Sequence, residues 1–372
     1  MKSWFKSIKK LKIGILDRYI IGKFLGTYLF TILMLVIIIV VFDVVEKMDD
    51  FLELNAPLMD VAFKYYLNFV PFFINQFSGL ITFIAVIMFT SKMAYDTEII
   101  AMLSGGVSFK RLVWPYFISA FIVTAMSLAL NMYIIPRTNV TRLDFEAKYL
   151  KKNKRDNFES FIYRQVSPGT FISLKGYNSI TKSASFLVLE TYDGGKIVSS
   201  LSAKDAKFDE SSLHWRAPRY LTRTYEGDVE TLVKYDSQLD TMVNLTSSEL
   251  GKVENFIQTL TIDELIDFID EQKQKGSDMI DTFEVDKYNR FAYPFSTFIL
   301  TLIGLSLSSR KVRGGTGLHI GIGIGLCFSY IMAMQLTNEF AKAGDMPTMI
   351  AVWLPNIIFT FVSIYLYNKA PK

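Results

Sequence analysis

The chain has 372 residues, 51% of them hydrophobic and 15% aromatic, and its mean hydropathy of +0.27 is too apolar for an ordinary soluble enzyme. The formal net charge of +4 is small for this length. The basic residues gather beside apolar runs rather than in a stripe interleaved with aromatics, which argues against nucleic acid as a partner.

In chain order, six stretches are apolar for the 18 or so residues that a bilayer-spanning helix needs: 24–42, 61–90, 113–135, 291–309, 317–337 and 349–367. The first is too long for a signal-peptide core and no small-residue cleavage site follows it, so it should stay as an anchor. The second is long enough to be tilted or broken, and Pro71, with Asn75 and Gln76 close after it, marks the expected kink.

Lysine and arginine near the span ends set the expected orientation. The start carries Lys2, Lys6, Lys9, Lys10, Lys12, Arg18 and Lys23. The loop expected after the first span is acidic, with Asp43, Glu46, Asp49, Asp50 and Glu53 against Lys47. Lys92, Lys110 and Arg111, then Arg310, Lys311 and Arg313, and finally Lys369 and Lys372 fall on the same side as the amino terminus. Both termini are therefore expected in the cytoplasm, with the stretch from Arg137 to Asp286 on the other side. The basic cluster Lys148, Lys151, Lys152, Lys154 and Arg155 runs against this, but long translocated domains are largely exempt from the rule.

Between the second and third spans, residues 94–103 read as a short helix. Asp96 or Thr97 can cap it, Glu98 sits in its first turn, and Ile99, Ile100, Met102 and Leu103 give it an apolar side before Gly105-Gly106 ends it.

After the third span the apolar period changes. Residues 161–166, 170–174, 184–190, 196–201, 213–225 and 230–235 are short runs rich in β-branched and aromatic residues, separated by turn signals such as Pro168-Gly169 and Asp193-Gly194-Gly195. Strands at this spacing predict an antiparallel β-sandwich or jelly roll. Thr261-Ile262-Asp263-Glu264 then has capping-box spacing and opens a linker helix over 262–275, with Ile262, Leu265, Ile266 and Ile269 on one face and a stop at Lys273, Lys275 and Gly276.

The expected fold is thus an α-helical membrane protein with three spans, an inserted β-domain and three further spans. Its divisions fall at 1–136, 137–285 and 286–372.

Several chemistries are missing. The lysines that follow a glycine, Lys23, Lys196 and Lys252, are followed by Phe, Ile and Val, so no P-loop is present. Only two histidines, His214 and His319, occur, far apart, and the one cysteine, Cys327, lies in an apolar run. These leave no basis for a metal centre, a triad or a disulfide. Charge within the spans is sparse, which weakens the case for a proton- or ion-driven carrier. No cofactor and no catalytic residue are expected.

Several motifs together resemble the LptF/LptG permease family. They are Leu16-Asp17-Arg18-Tyr19-Ile20, the segment from Ser91 to Gly106, Tyr293-Pro294, the glycine-rich start of the fifth span and Trp353-Leu354-Pro355-Asn356. The likeness covers nearly the whole chain, including the position of the β-domain, and the opening motif is closer to LptG.

The resemblance implies an inner-membrane permease subunit, with its β-domain periplasmic, that pairs with an LptF/LptG-like partner above an LptB-like ATPase dimer. Such a complex extracts lipopolysaccharide from among the membrane lipids and passes it to LptC/LptA-like bridge proteins. It also implies that Glu98, with Asp96, Ile99, Met102, Leu103 and Gly105, forms the ATPase-coupling element. The alternative for Glu98 is a helix start that rests on the membrane. Arg137 and Arg142 would meet lipid A phosphates or simply snorkel to the interface. At the family's phosphate-contacting lysine the chain has Asp43, with Lys47 one turn later: either Lys47 substitutes for it or this subunit leaves that contact to its partner.

Two other readings compete: a permease for another amphiphile, and a membrane-anchored scaffold or sensor. A scaffold needs one anchor rather than six. Transporters of the FtsX or MacB type have four spans, with the large domain after the first.

Overall fold

A computed structural model describes residues 14–370 except 151–157, 179–180, 210, 228, 244–252, 275–276, 278 and 310–316. Lys2 to Lys12, Lys151 to Arg155, Lys275, Gly276, Arg310 to Arg313 and Lys372, which carried part of the orientation and helix-stop reading, lie outside the described residues. The chain packs into two compact units. One comprises 1–42, 70–132 and 288–372, and the other 43–69 and 133–287.

Helix α1 runs over Ile15–Glu53, about 58 Å at helical rise. It opens as half a capping box, with the Gly14 N–H donating to Asp17 Oδ2 at 2.8 Å. It ends with Asn55 in a left-handed conformation (φ 49°) and Ala56 N–H donating back to Phe51 O at 2.9 Å. The acidic stretch expected as a loop is therefore helical. Its Asp43–Lys47 ion pair, one turn apart, supports the helix, and Phe51 buries its ring edge-on against Tyr65 and Phe145.

The second expected span is broken, but not at Pro71. Helix α2 (Leu58–Asp60) leads through a π-helical turn, Val61–Tyr66, into α3 (Leu67–Gln76), which contains Pro71. The break falls at Phe77 (φ −101°, ψ 11°), after which α4 runs over Ser78–Tyr95. A π turn already widens the ladder upstream of the proline, so Pro71 is accommodated without ending the helix.

Helix α5 (Glu98–Ser104) is followed by α6 (Phe109–Ala129), a second π turn (Leu130–Ile134) and α7 (Ile135–Tyr149). The third expected span thus continues as helix well beyond residue 135. The buried positions Ile135, Asn139, Arg142, Phe145 and Tyr149 form one stripe along α7.

The β-domain is an antiparallel sheet of eight strands among the described residues. They are β1 (Phe158–Ser167), β2 (Thr170–Asn178), β3 (Ser183–Asp193), β4 (Lys196–Asp209), β5 (His214–Ala217), β6 (Tyr220–Glu226), β7 (Val229–Tyr235) and β8 (Leu239–Met242). The sheet forks at β4: one part of its free edge pairs with β6, which carries β7, and the other with β5, which carries β8.

The single strand expected over 213–225 is two strands, because Pro218 lacks the N–H that a ladder needs. β8 was not foreseen; four residues are too few to show a period. Tyr177 of β2 lies 6.1 Å, ring centre to ring centre, from the fully buried Trp215 of β5. Three strand spacings would put them about 14 Å apart in a flat sheet, so the sheet curls over its own core.

Four more helices follow: α8 (Val253–Ile257), α9 (Ile262–Gln274), α10 (Ile280–Ser308) and α11 (Gly317–Lys342), before α12 (Thr348–Lys369) closes the chain. The α9 capping box forms, with Thr261 N–H donating to Glu264 Oε2 at 2.8 Å. Ile266, expected on the buried face, is exposed. Five helices are long and apolar enough to cross a membrane among the described residues: α1, α4, the continuous run from Phe109 to Tyr149, α10 and α12. The 26-residue α11 occupies the place of the fifth expected span.

Polar ties between helices hold the first unit. Pro294 cannot donate to Arg290 O one turn back, and Asn131 Nδ2 takes that carbonyl instead at 3.3 Å. Asn356 accepts from Tyr330 OH at 2.9 Å and donates to Ala292 O at 3.1 Å. Thr90 and Tyr116 share a hydrogen bond at 3.0 Å, and Ser127 donates to Asn75 at 2.6 Å. Such bonds are the usual glue where lipid tails supply no hydrophobic drive between helices.

Candidate functional site

The segment between α4 and α6 concentrates the residues singled out from sequence. Ala94 and Tyr95 finish α4, and the short helix begins only at Glu98. Neither expected cap acts through its side chain: Thr97 sits in a left-handed conformation (φ 62°) and makes no capping bond. Its hydroxyl donates to Asp96 O at 2.7 Å, and Asp96 terminates α4. The left-handed turn at Thr97 separates α5 from α4, and Ile99 seats α5 on the buried cluster of the helical unit. Gly105 ends α5, and Gly106 takes φ 87°, which a side chain would strain.

The apolar side of α5 divides. Ile99 is 1% exposed within a cluster that includes Ile20, Phe24, Met93, Phe109 and Tyr116, and Met102 and Leu103 pack against that cluster. Tyr95 and Ile100, 75% and 44% exposed, face outward, as do Asp96, Ala101 and Gly105.

Glu98 is held from α1. Its Oε2 accepts from Tyr19 OH at 2.8 Å, and Lys23 Nζ lies 2.9 and 3.1 Å from its two oxygens. Partial burial pushes the Glu98 carboxyl upward, but Lys23 and Tyr19, with Lys92 nearby, outweigh it and hold the pKa below the ordinary glutamate value. A second ion pair lies close by in sequence: Arg111, in the first turn of α6, binds the buried Asp17 with two parallel bonds of 2.5 Å. Asp17, Tyr19, Lys23 and Arg111 were visible only as a motif and as orientation charges. Their partners lie 75 to 94 residues away, and one sequence carries no signal for such pairings.

The three basic residues expected at substrate belong to the second unit. Lys47 is half-buried, paired with Asp43 Oδ1 at 2.6 Å and bonded to Tyr65 OH. Its ammonium sits 4.8 Å from the Tyr65 ring centre and 5.6 Å from that of Phe69. Arg142 is buried: its Nε donates to Asn139 Oδ1 at 3.1 Å and Nη2 to Gln258 Oε1 at 3.4 Å, with Glu146 at 3.4 Å. Of the three, only Arg137 has an exposed side chain.

A family profile described as Lipopolysaccharide export system permease LptF/LptG matches residues 18–369. Over 364 residues, covering 96% of this chain and 98% of the relative, the sequence is 20% identical to the Lipopolysaccharide export system permease protein LptG of Escherichia coli (strain K12). A shorter match, 26% identical over 144 residues and covering 39% of this chain and 40% of the other, is to an uncharacterized protein of Aquifex aeolicus (strain VF5). With the profile spanning all of the apolar helices and the forked sheet between them, the chain belongs to the LptF/LptG family of lipopolysaccharide export permeases.

Proposed function

We propose that the chain is the LptG-like membrane subunit of an ATP-driven exporter in the bacterial inner membrane. It takes lipopolysaccharide out of the bilayer while a separate ATPase, docked on α5, supplies the work. The observation that carries the reading is α5 itself: a seven-residue helix between two apolar helices, with Ile99 seated in its own chain and Tyr95 and Ile100 left outward. Such a knob suits a groove on a motor.

The need for ATP follows from transfer energies. At about 0.8 kcal/mol per buried CH₂, exposing one roughly 14-carbon chain to water costs on the order of 11 kcal/mol, and lipid A has several chains.

The β-domain carries the onward step in this reading. Every residue of the edge strand β7 is exposed, and an open edge can accept a strand from a periplasmic bridge protein. Arg137 is the cation we assign to the lipid A phosphates. Lys47 and Arg142 are committed within the chain and serve to shape the region.

The test is purification of the full chain from membranes, identification of its ATPase, and measurement of ATP-driven lipopolysaccharide release from proteoliposomes. Ile100→Asp should abolish ATPase binding and release while leaving the chain folded. Undiminished release by that variant, or no ATPase recovered with the unaltered chain, would overturn the docking assignment.

A further inference from the structure

The buried residues of α1 in the first unit are Asp17, Ile20, Phe24, Tyr28 and Thr31, a single stripe at its first turns. From 32 to 50 no residue of α1 is buried. Within this unit helix α1 is fixed mainly at its start, with Ile32 and Leu35 packing more shallowly beyond, and its polar ties to other elements of the unit are at that same end. Both go to the segment that includes α5. Lys23 and Tyr19 hold Glu98 at its start, and Asp17 holds Arg111 in the first turn of α6, the helix that follows it. Ile99 shares one buried cluster with Ile20, Phe24 and Tyr28.

We propose that Lys23 and Tyr19 are positioning residues of transport: by binding the Glu98 carboxylate they join α5 to α1, so that α1 is the helix driven when the ATPase moves α5. This rests on the reading of α5 as the ATPase contact. Two ties of opposite polarity, six residues apart on α1, grip a segment of fourteen residues (98–111) at both ends. Displacement of α5 therefore pulls on α1 directly rather than through the loop backbone. Beyond Ile32 and Leu35, which still pack against the edge of that cluster, α1 has no buried residue up to Asp50, so this stretch can follow that pull without first breaking a packed core.

The test uses the full complex with its ATPase in lipopolysaccharide-containing proteoliposomes, with ATP hydrolysed and lipopolysaccharide released measured together. Lys23→Met should lower release per ATP about fivefold, the upper end of what a partly exposed ion pair contributes, while the ATPase stays bound. Lys23→Arg should restore release per ATP, and Tyr19→Phe should fall between the two. Thermal melting of each variant separates coupling from stability, since lost stability alone lowers the amount of active complex and not the ratio.

Wild-type release per ATP in Lys23→Met, or Lys23→Arg as poor as Lys23→Met, would overturn the proposal and leave ATPase docking intact. If Lys23→Met does not fold, Tyr19→Phe decides: an unchanged ratio overturns the proposal, a reduced one supports it. Failure of the unaltered chain to bind the ATPase at all would overturn the docking reading, and this inference with it.

Discussion

Ile99 and Ile100 are neighbours of the same type with opposite surroundings, one 1% and the other 44% exposed. Ile99→Ala should cost about 2–4 kcal/mol, the range for emptying a packed aliphatic site, seen as a lower melting temperature. Ile100→Asp should leave melting nearly unchanged, because an exposed site loses no packing.

Glu98 adds a pH dependence. Its folded pKa is lowered, so its tie to α1 contributes stability that is fully present above the unfolded glutamate range, about pH 4.3. That contribution is lost as pH falls through the lowered folded value. Amide exchange in α5 should accelerate on acidification in that window, and Glu98→Gln should flatten the response.

Helices α4 and α10 approach closely because glycine stands at their contact. A Cβ built on Gly304 would lie 2.9 Å from Val86 Cγ1, and one on Gly79 would lie 2.7 Å from Ser296 Oγ. Gly304→Val should force the pair apart at a cost of about 1–3 kcal/mol, measurable as reduced thermal stability in detergent. At the scale of the element, much was legible from sequence. The apolar runs became helices, and the β-branched runs with their Gly and Asp turns became strands, because each pattern reflects one buried face.

What could not be read was set by distant partners. The helical course of 43–53 depends on Phe51 meeting Tyr65 and Phe145. The Phe77 break and both π turns leave no compositional mark. β8 exists because β5 offers an edge. The candidate site was legible in the same measure: the position of Glu98 between two spans could be found, but the seating of Ile99 and the ties to Lys23 and Tyr19 are tertiary facts. Arg142 illustrates the point from the other side, since its place on the buried stripe of α7 shows only once the helix is known to continue to Tyr149.

For the whole molecule, the proposed topology puts the α4–α6 segment and the β-domain on opposite sides of the membrane. Cys327 is buried, so the native chain should be silent to an impermeant thiol reagent, and Ser104→Cys and Thr231→Cys, both at exposed positions, can report separately. In spheroplasts Thr231→Cys should label and Ser104→Cys should label only after lysis. Labelling of both before lysis would remove the basis for an internal motor acting on α5.

The amide of Asn131 that fills the gap left by Pro294 has a consequence for how α10 behaves in hydrocarbon. An interrupted rung inside a bilayer ordinarily draws in a solvent molecule, and the helix then softens or stiffens with hydration. Here another segment of the same protein takes up the freed carbonyl, so the interruption has a partner within the chain and its shape should depend less on whether detergent or lipid surrounds it. Asn131→Leu would remove that partner and make α10 more responsive to its medium.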